Sequence, residues 1–158
     1  AHAIGLIPLP GKLDPAIRLK GWSSLGQHCE TQRTTRFSDP DKVFFFSDEY
    51  DMTAALAFYI PGRPRTFCAL IDRRLNQYDL WPGPQDRIGW DAVFVIKDFK
   101  HGQVHPTLAA MFEEVEVEHY QSLHRGAEAM KFTLVLGRNF TGVWPDMHSN
   151  QAQGVEHY

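Results

Sequence analysis

Cysteine, long apolar runs and an excess of one charge are all scarce in this chain. Two cysteines occur among 158 residues, and a chain of this length can bury a single core without disulfides or metal to staple it. No stretch approaches the roughly 18 to 20 apolar residues of a transmembrane helix. A net charge of −3 with no basic face gives no reason to expect a nucleic acid partner.

Familiar phosphate-binding and catalytic motifs are missing as well. There is no Gly-rich phosphate loop, no Gly-x-Ser-x-Gly elbow and no His-Glu-x-x-His pair. The first apolar strand runs into Asp48 and Glu49, and acids at a helix start repel phosphate. His101 and His105 are four residues apart, but Gly102 between them disfavours a regular helix, so they are interpreted as loop histidines. We therefore expect no cofactor and no metal.

Apolar runs that alternate with helical patterns predict an α/β fold. Asp14 and Pro15 are typical of a helix start, and Trp22, Leu25 and Cys29 follow at helical spacing. Buried strands are predicted at 43–46, 66–71 and 92–96, with helices from Ser47 or Asp48 to about residue 60 and from Pro106 to about residue 112. A short strand is expected near Tyr78 within a long loop, 73–91.

In the last third of the chain, the pattern changes to strict alternation of apolar and polar residues. Residues 115–119 and 130–136 alternate in this way, which predicts two strands that pair as an antiparallel hairpin. Together these elements predict a three-layer α/β/α sandwich, mostly parallel, with the hairpin at one edge. One domain, 14–145, is expected between an extended lead-in, 1–13, and a loose polar tail, 146–158.

Cys68 lies in an apolar strand-like run, which favours a buried free thiol. A disulfide between Cys29 and Cys68 is the alternative, although no spacing signature supports it.

Two clusters of polar residues are candidates for a site. Asp48, Glu49 and Asp51 either form an acidic first turn of a helix or are neighbouring carboxylates whose pKa values differ, so that one can act as an acid and another as a base.

The segment 73–81 combines planar hydrogen-bonding groups with aromatic faces, a mixture suited to a sugar or an anionic head group. Its candidate binding residues are Arg73, Arg74, Asn76, Gln77, Tyr78, Asp79 and Trp81. The structural alternative is that arginine pairs with aspartate while Tyr78 and Trp81 cover the sheet edge.

Several short motifs between about residues 14 and 97 resemble one family. They are similar to the C-terminal soluble region of bacterial membrane glycosyltransferases of the dolichyl-phosphate-mannose–protein mannosyltransferase-like type (glycosyltransferase family 39), which are related to aminoarabinose transferases. The residues that carry the resemblance are Gly21-Trp22, Asp48-Glu49-Tyr50, Ala54-Ala55-Leu56-Ala57-Phe58-Tyr59, Pro61-Gly62-Arg63-Pro64, Arg73 to Trp81, and Gly89-x-Asp91-Ala92.

The resemblance implies a parent protein with many membrane spans and a polyprenyl-phosphate-linked sugar as donor. It places the catalytic acid on a membrane-proximal loop outside this chain, so no catalytic residue is assigned here. The domain is then expected to be extracytoplasmic (periplasmic), attached to a parent in the inner membrane, with 1–13 as the stub after the last span. Its expected partners are the membrane portion of the same polypeptide and a lipid-linked sugar or glycan acceptor, and the isolated domain is not expected to transfer sugar.

Two other functions are compatible with the residues. A free-standing α/β enzyme would use Asp48, Glu49 and the 73–81 loop, with a deep pocket at the carboxyl ends of the parallel strands. An interaction module would present Trp81, Trp90 and Trp144 to a partner or a membrane surface.

Overall fold

Helices and strands alternate along the chain much as the apolar runs predict. The computed structural model describes residues 15–122 and 130–146, with side chains from residue 20 onward. The helices are α1 (Pro15–Thr35), α2 (Tyr50–Tyr59) and α3 (Pro106–Ala110), and the strands are β1 (Val43–Ser47), β2 (Thr66–Cys68), β3 (Asp91–Lys97), β4 (Phe112–Gln121) and β5 (Lys131–Phe140). Short 3₁₀ helices cover Pro40–Lys42, Gln77–Leu80 and Gln85–Arg87. The predicted lead-in 1–13, the cap at Asp14 and the tail beyond residue 146 lie outside the described residues.

The strands form one mixed sheet in the order β2-β1-β3-β5-β4. β1 lies parallel to both β2 and β3, whereas β5 is antiparallel to β3 and to β4. The predicted α/β class and the antiparallel hairpin at one edge are therefore confirmed. β5 is buried along most of its length, although its alternating sequence predicts one exposed face. The reason is that Phe132, Leu134 and Leu136 pack into the cluster on one face of the sheet while Val135 packs into the cluster on the other.

The first face of the sheet is covered by two helices. Leu25 and Cys29 of α1 and Met52 and Leu56 of α2 pack against the inward side chains of β1, β3 and β5. Trp22 joins this cluster, so the predicted stripe on α1 is confirmed. The first face is thus a helix layer on a sheet, as in other α/β folds.

The second face is covered differently. Phe44, Phe46 and Phe94 point to this face and pack with Leu108 of the five-residue α3 and with the partly buried Trp144. Loop segments on either side of α3 and after β5 supply the rest of the cover. The third, helical layer of the predicted sandwich therefore stays a prediction.

Close packing between α1 and α2 depends on a glycine. A methyl group added at Gly26 would overlap the carbonyl oxygen of Tyr59 and lie 2.6 Å from its carbonyl carbon. Trp22 stacks on the ring of Tyr59 one turn earlier, at 6.5 Å between centroids. Gly26 does not interrupt α1, because the contact with α2 offsets its low helix propensity.

Three local predictions are wrong. The cap of α2 is Glu49 rather than Ser47 or Asp48, since Ser47 ends β1 and its hydroxyl accepts a hydrogen bond from the Glu49 N–H at 3.2 Å. The expected strand near Tyr78 is a 3₁₀ helix. β2 stops at Cys68, and the chain turns away at Asp72, which has a φ of 48°.

Both cysteines are buried free thiols, so the prediction for Cys68 is confirmed and the two are not joined by a disulfide. Burial raises the pKa of the Cys29 thiol, and Glu118 and Glu30 add to the increase. We expect neither thiol to react with an aromatic disulfide reagent in the native protein, because both side chains are buried and the raised pKa of Cys29 also keeps it in the unreactive thiol form. The same assay in denaturant should release two equivalents, whereas rapid native reaction of either thiol would contradict this burial.

Candidate functional site: an aromatic cleft and a carboxyl-end cavity

The segment 73–81 is held by its own polar side chains. The side chain of Asn76 accepts a hydrogen bond from the Tyr78 N–H at 2.8 Å, and a carboxylate oxygen of Asp79 accepts one from the Asn76 N–H at 2.7 Å. This reciprocal arrangement is a capping box on the 3₁₀ helix. It gives a short segment without a hydrophobic core a fixed shape.

Arg73 fastens this helix to the end of β2. Its guanidinium donates to both carboxylate oxygens of Asp79, at 2.7 and 2.8 Å, and to the carbonyls of Ala69 and Cys68, at 3.0 and 3.2 Å. The Asp79 side chain is only 3% exposed. Burial raises its pKa, but the hydrogen bonds from Arg73 and Asn76 and the charge of Arg73 outweigh burial and leave the pKa below its usual range.

An aromatic cleft of about 300 Å³ opens beside this segment. Its walls include Tyr78, Leu80, Trp81, Gly83, Gln85 and Trp144. The rings of Tyr78 and Trp81 meet edge to face at 5.1 Å, and the Trp81 side chain is 56% exposed. A Cβ atom at Gly83 would lie 2.6 Å from the indole nitrogen of Trp144, so a larger residue there would have to displace that ring.

The predicted binding residues separate into three groups in this geometry. Arg73 pairs with Asp79, as the structural alternative predicts for these two residues, and Asn76 caps the 3₁₀ helix. Tyr78 and Trp81 line the cleft and present their rings to it. Arg74 and Gln77 are exposed side chains of the same segment.

Sequence reasoning missed Trp144 and Gly83 as parts of this cleft. Trp144 follows β5 and is brought near by the backbone, where the Leu70 N–H donates to the Pro145 carbonyl at 3.4 Å. No local pattern signals this contact, since more than sixty residues separate the two walls. For Gly83, the available signal was its place in the turn Pro82-Gly83-Pro84.

A second cavity, of about 310 Å³, lies at the carboxyl ends of the parallel strands. Asp48 follows β1, Ile71 follows β2 and Ile96 is the last residue but one of β3. All three line this carboxyl-end cavity together with Lys100 and His105. His105 pairs with Asp72 at 2.8 Å. Oδ1 of Asp48 is buried and is the one such side-chain oxygen or nitrogen without a hydrogen-bond partner among the described residues.

The three acids near this cavity have different environments. Burial and the charge of Glu49 raise the pKa of Asp48, against the opposing effects of a backbone hydrogen bond and of the charges of Arg73 and His105. Glu49 instead accepts a hydrogen bond from the Lys97 N–H at 3.2 Å, and Asp51 pairs with the Lys97 ammonium. Asp51 has a lowered pKa because the hydrogen bond and charge of Lys97 outweigh burial. Only Asp48 of the three lines the cavity.

The other sequence candidates are placed as follows. His101 and His105 lie in loops, as predicted, and residues 15–122 and 130–146 contain no cluster of three potential ligands for a metal ion. Trp90 and Trp144 are partly buried against the second face, whereas Trp81 is exposed. No helix in the described ranges is long and apolar enough to cross a membrane.

The fold is a mixed α/β domain that carries the aromatic cleft and the carboxyl-end cavity. The chain matches no protein-family model, no curated protein and no solved structure. Its resemblance to membrane glycosyltransferases therefore rests on the sequence motifs alone.

Proposed function

We propose that this chain is the extracytoplasmic C-terminal accessory domain of a membrane glycosyltransferase that uses a polyprenyl-phosphate-linked sugar. Its role is to help place the sugar head group or the glycan acceptor, without catalysing transfer alone. The observation that carries this proposal is the aromatic cleft beside 73–81, the segment on which the motif resemblance is densest.

The chemistry of the cleft suits a sugar. A pyranose has one apolar face that stacks on an aromatic ring, and the exposed ring of Trp81 offers such a surface. Its hydroxyls need hydrogen-bonding groups close to that ring, and Gln85 and the Tyr78 hydroxyl lie in the same wall. Burial raises the pKa of Tyr78, so its hydroxyl remains a proton donor.

Arginines lie next to the cleft, although the residues that line it include Asp79 and Asp146, and we infer that these arginines face the phosphate that follows the sugar. Arg65 lines a small cavity next to the cleft, together with Tyr78 and Trp81, and donates to the Pro82 carbonyl at 2.8 Å. Arg74 is exposed on the neighbouring segment. Guanidinium groups bind phosphate well because their planar donors match its oxygens.

Apolar side chains also surround this part of the surface. Leu75, Leu80 and Trp81 are all more than half exposed, which is unusual for one short segment of a soluble protein. We infer that they contact the membrane portion of the same polypeptide or the lipid chain of the donor. The proposal includes a three-layer domain in which α3 and its flanking loops form the layer on the second face.

Replacing the exposed tryptophan is the direct functional test. We expect Trp81→Ala to lower sugar transfer by the intact membrane protein about tenfold, which corresponds to about 1.4 kcal/mol of lost stacking. Phe58→Ala is the matched control, because Phe58 is an aromatic residue of nearly equal exposure, 57%, on α2. The measurement is the transfer rate at equal expression. Equal rates for both variants, or transfer by the isolated domain, would contradict the proposal.

A further inference from the structure

The carboxyl-end cavity lies where two chain connections diverge. The chain leaves β1 through α2 towards β2, at one edge of the sheet, whereas it leaves β3 through α3 towards β4, at the other edge. Connections that diverge from two adjacent parallel strands open a crevice between their carboxyl ends, and ligands of open α/β sheets bind there. Asp48 after β1 and Ile96 near the end of β3 both line the cavity, so it occupies this position.

Apolar side chains from four elements line the cavity. They are Phe94 and Ile96 of β3, Leu108 of α3, Val117 of β4 and Val135 of β5. The volume of about 310 Å³ falls at the lower end of the range for small-molecule pockets. A ligand that fills this cavity must therefore carry a compact apolar group.

One acidic side chain of the cavity keeps a charge that no cation cancels. Asp72 lines the cavity, its side chain is 82% exposed, and it accepts a hydrogen bond from Nε2 of His105 at 2.8 Å. Nδ1 of His105 accepts a hydrogen bond from the Thr107 N–H at 3.1 Å. The ring therefore carries its proton on Nε2 and acts as a neutral donor, so Asp72 can still attract a cation.

A cationic side chain lines the same cavity. Lys100 is exposed and forms no ion pair within the described part of the chain. Asp48 adds a second carboxyl, but its Oδ1 is buried out of a ligand's reach, and the charge of Arg73 opposes that of Glu49 on this carboxyl. Asp72 and Lys100 thus offer a ligand one charge of each sign.

We propose that the carboxyl-end cavity binds a free α-amino acid with an apolar side chain, whose ammonium group pairs with Asp72 and whose carboxylate pairs with Lys100. A zwitterion suits this pair, because a simple amine would meet the like charge of Lys100 and a simple carboxylate would meet that of Asp72. The apolar side chain of the ligand lies against Phe94, Leu108 and Val135. The site is separate from the aromatic cleft, and binding requires neither the proposed sugar-related function nor a covalent step.

The test is an NMR titration of the full 158-residue chain with L-leucine and three analogues. 3-Methylbutylamine lacks the carboxylate, 4-methylpentanoate lacks the ammonium group, and glycine lacks the apolar side chain. We expect leucine to bind about ten times more tightly than each analogue, because each loses a charge-assisted contact or the apolar contact. The amide signals of Asp72, Val104 and His105 should shift.

Two charge-removing variants give the test a reciprocal readout. Asp72→Asn keeps an acceptor for His105, and asparagine tolerates the φ of 48° at this position. It should weaken binding of leucine and of 3-methylbutylamine about tenfold and leave that of 4-methylpentanoate unchanged. Lys100→Gln changes an exposed side chain and should weaken binding of leucine and of 4-methylpentanoate instead.

The reciprocal pattern cannot arise from unfolding, which would weaken all ligands alike. An affinity for leucine no higher than that for either charged analogue would overturn the proposal. So would equal losses for all ligands in both variants, an absence of shifts at saturating leucine, or shifts confined to Trp81 and Trp144. None of these results bears on sugar binding in the aromatic cleft, since the titration contains no sugar.

Discussion

Asp79→Ala is expected to destabilise the protein by about 3 kcal/mol, because it leaves a buried charge without its partner. The guanidinium of Arg73 is only 14% exposed and donates to both oxygens of Asp79. The substitution also removes the acceptor for the Asn76 N–H, so the capping box is lost. Urea unfolding followed by circular dichroism measures the effect.

Asp86→Ala is the matched control for this prediction. Asp86 also pairs with an arginine, Arg87, at 3.0 Å, but its side chain is 77% exposed. Exposed ion pairs contribute little, so a change below about 0.5 kcal/mol is expected. Equal losses of stability in the two variants would show that the pair between Arg73 and Asp79 does not anchor the segment.

The same pair predicts a pH dependence with a definite sign. The pKa of Asp79 is lowered in the folded protein, so its contribution is fully present above the unfolded value of about 4. It is lost as the pH falls through the folded pKa. The difference in unfolding free energy between the native protein and Asp79→Ala should therefore be constant near neutral pH and shrink below about pH 4. A difference that grows in acid would contradict the pairing.

Gly26→Ala is expected to lower the free energy of unfolding by about 2 kcal/mol. The new methyl group would overlap the backbone of Tyr59, and overpacking of this kind costs about 3 kcal/mol. The better helix propensity of alanine offsets about 1 kcal/mol of that cost. For a chain of this length the melting temperature should fall by about 6 °C, which scanning calorimetry measures.

Gly21→Ala is the matched variant on the same helix. A methyl group there would overlap only the sulfur of Met130, a flexible side chain that can move aside. We expect a change within about 0.5 kcal/mol, because the gain in helix propensity offsets the displacement. Equal changes in the free energy of unfolding for the two variants would contradict the close approach of α1 to α2 at Gly26.

The strands could be predicted from the sequence because their patterns are local. The apolar run at 92–96 and the alternation at 115–119 each reflect the burial of a single strand, and both strands form where expected. The order of strands in the sheet could not be read in this way. It depends on pairings such as that of Phe94 with Val135, which join distant parts of the chain.

The candidate sites were predicted only in part for the same reason. Tyr78 and Trp81 belong to one local segment whose composition stood out, whereas Trp144 completes the cleft from far along the chain. The capping box was missed because Asn76 and Asp79 suit both ligand binding and capping. Asp48 was noted for its charge, but its unpaired oxygen follows from the packing of several elements around it.

Binding of a sugar head group by the aromatic cleft is tested most directly by titrating the 158-residue chain with a hexose 1-phosphate. The indole signals of Trp81 and Trp144 and the amide signals of Tyr78 and Gly83 are followed by NMR. The proposed function predicts saturable shifts at these residues, loss of the shifts in Trp81→Ala and no change in Phe58→Ala. An absence of shifts at saturating sugar phosphate, or shifts only around Asp48, would contradict it.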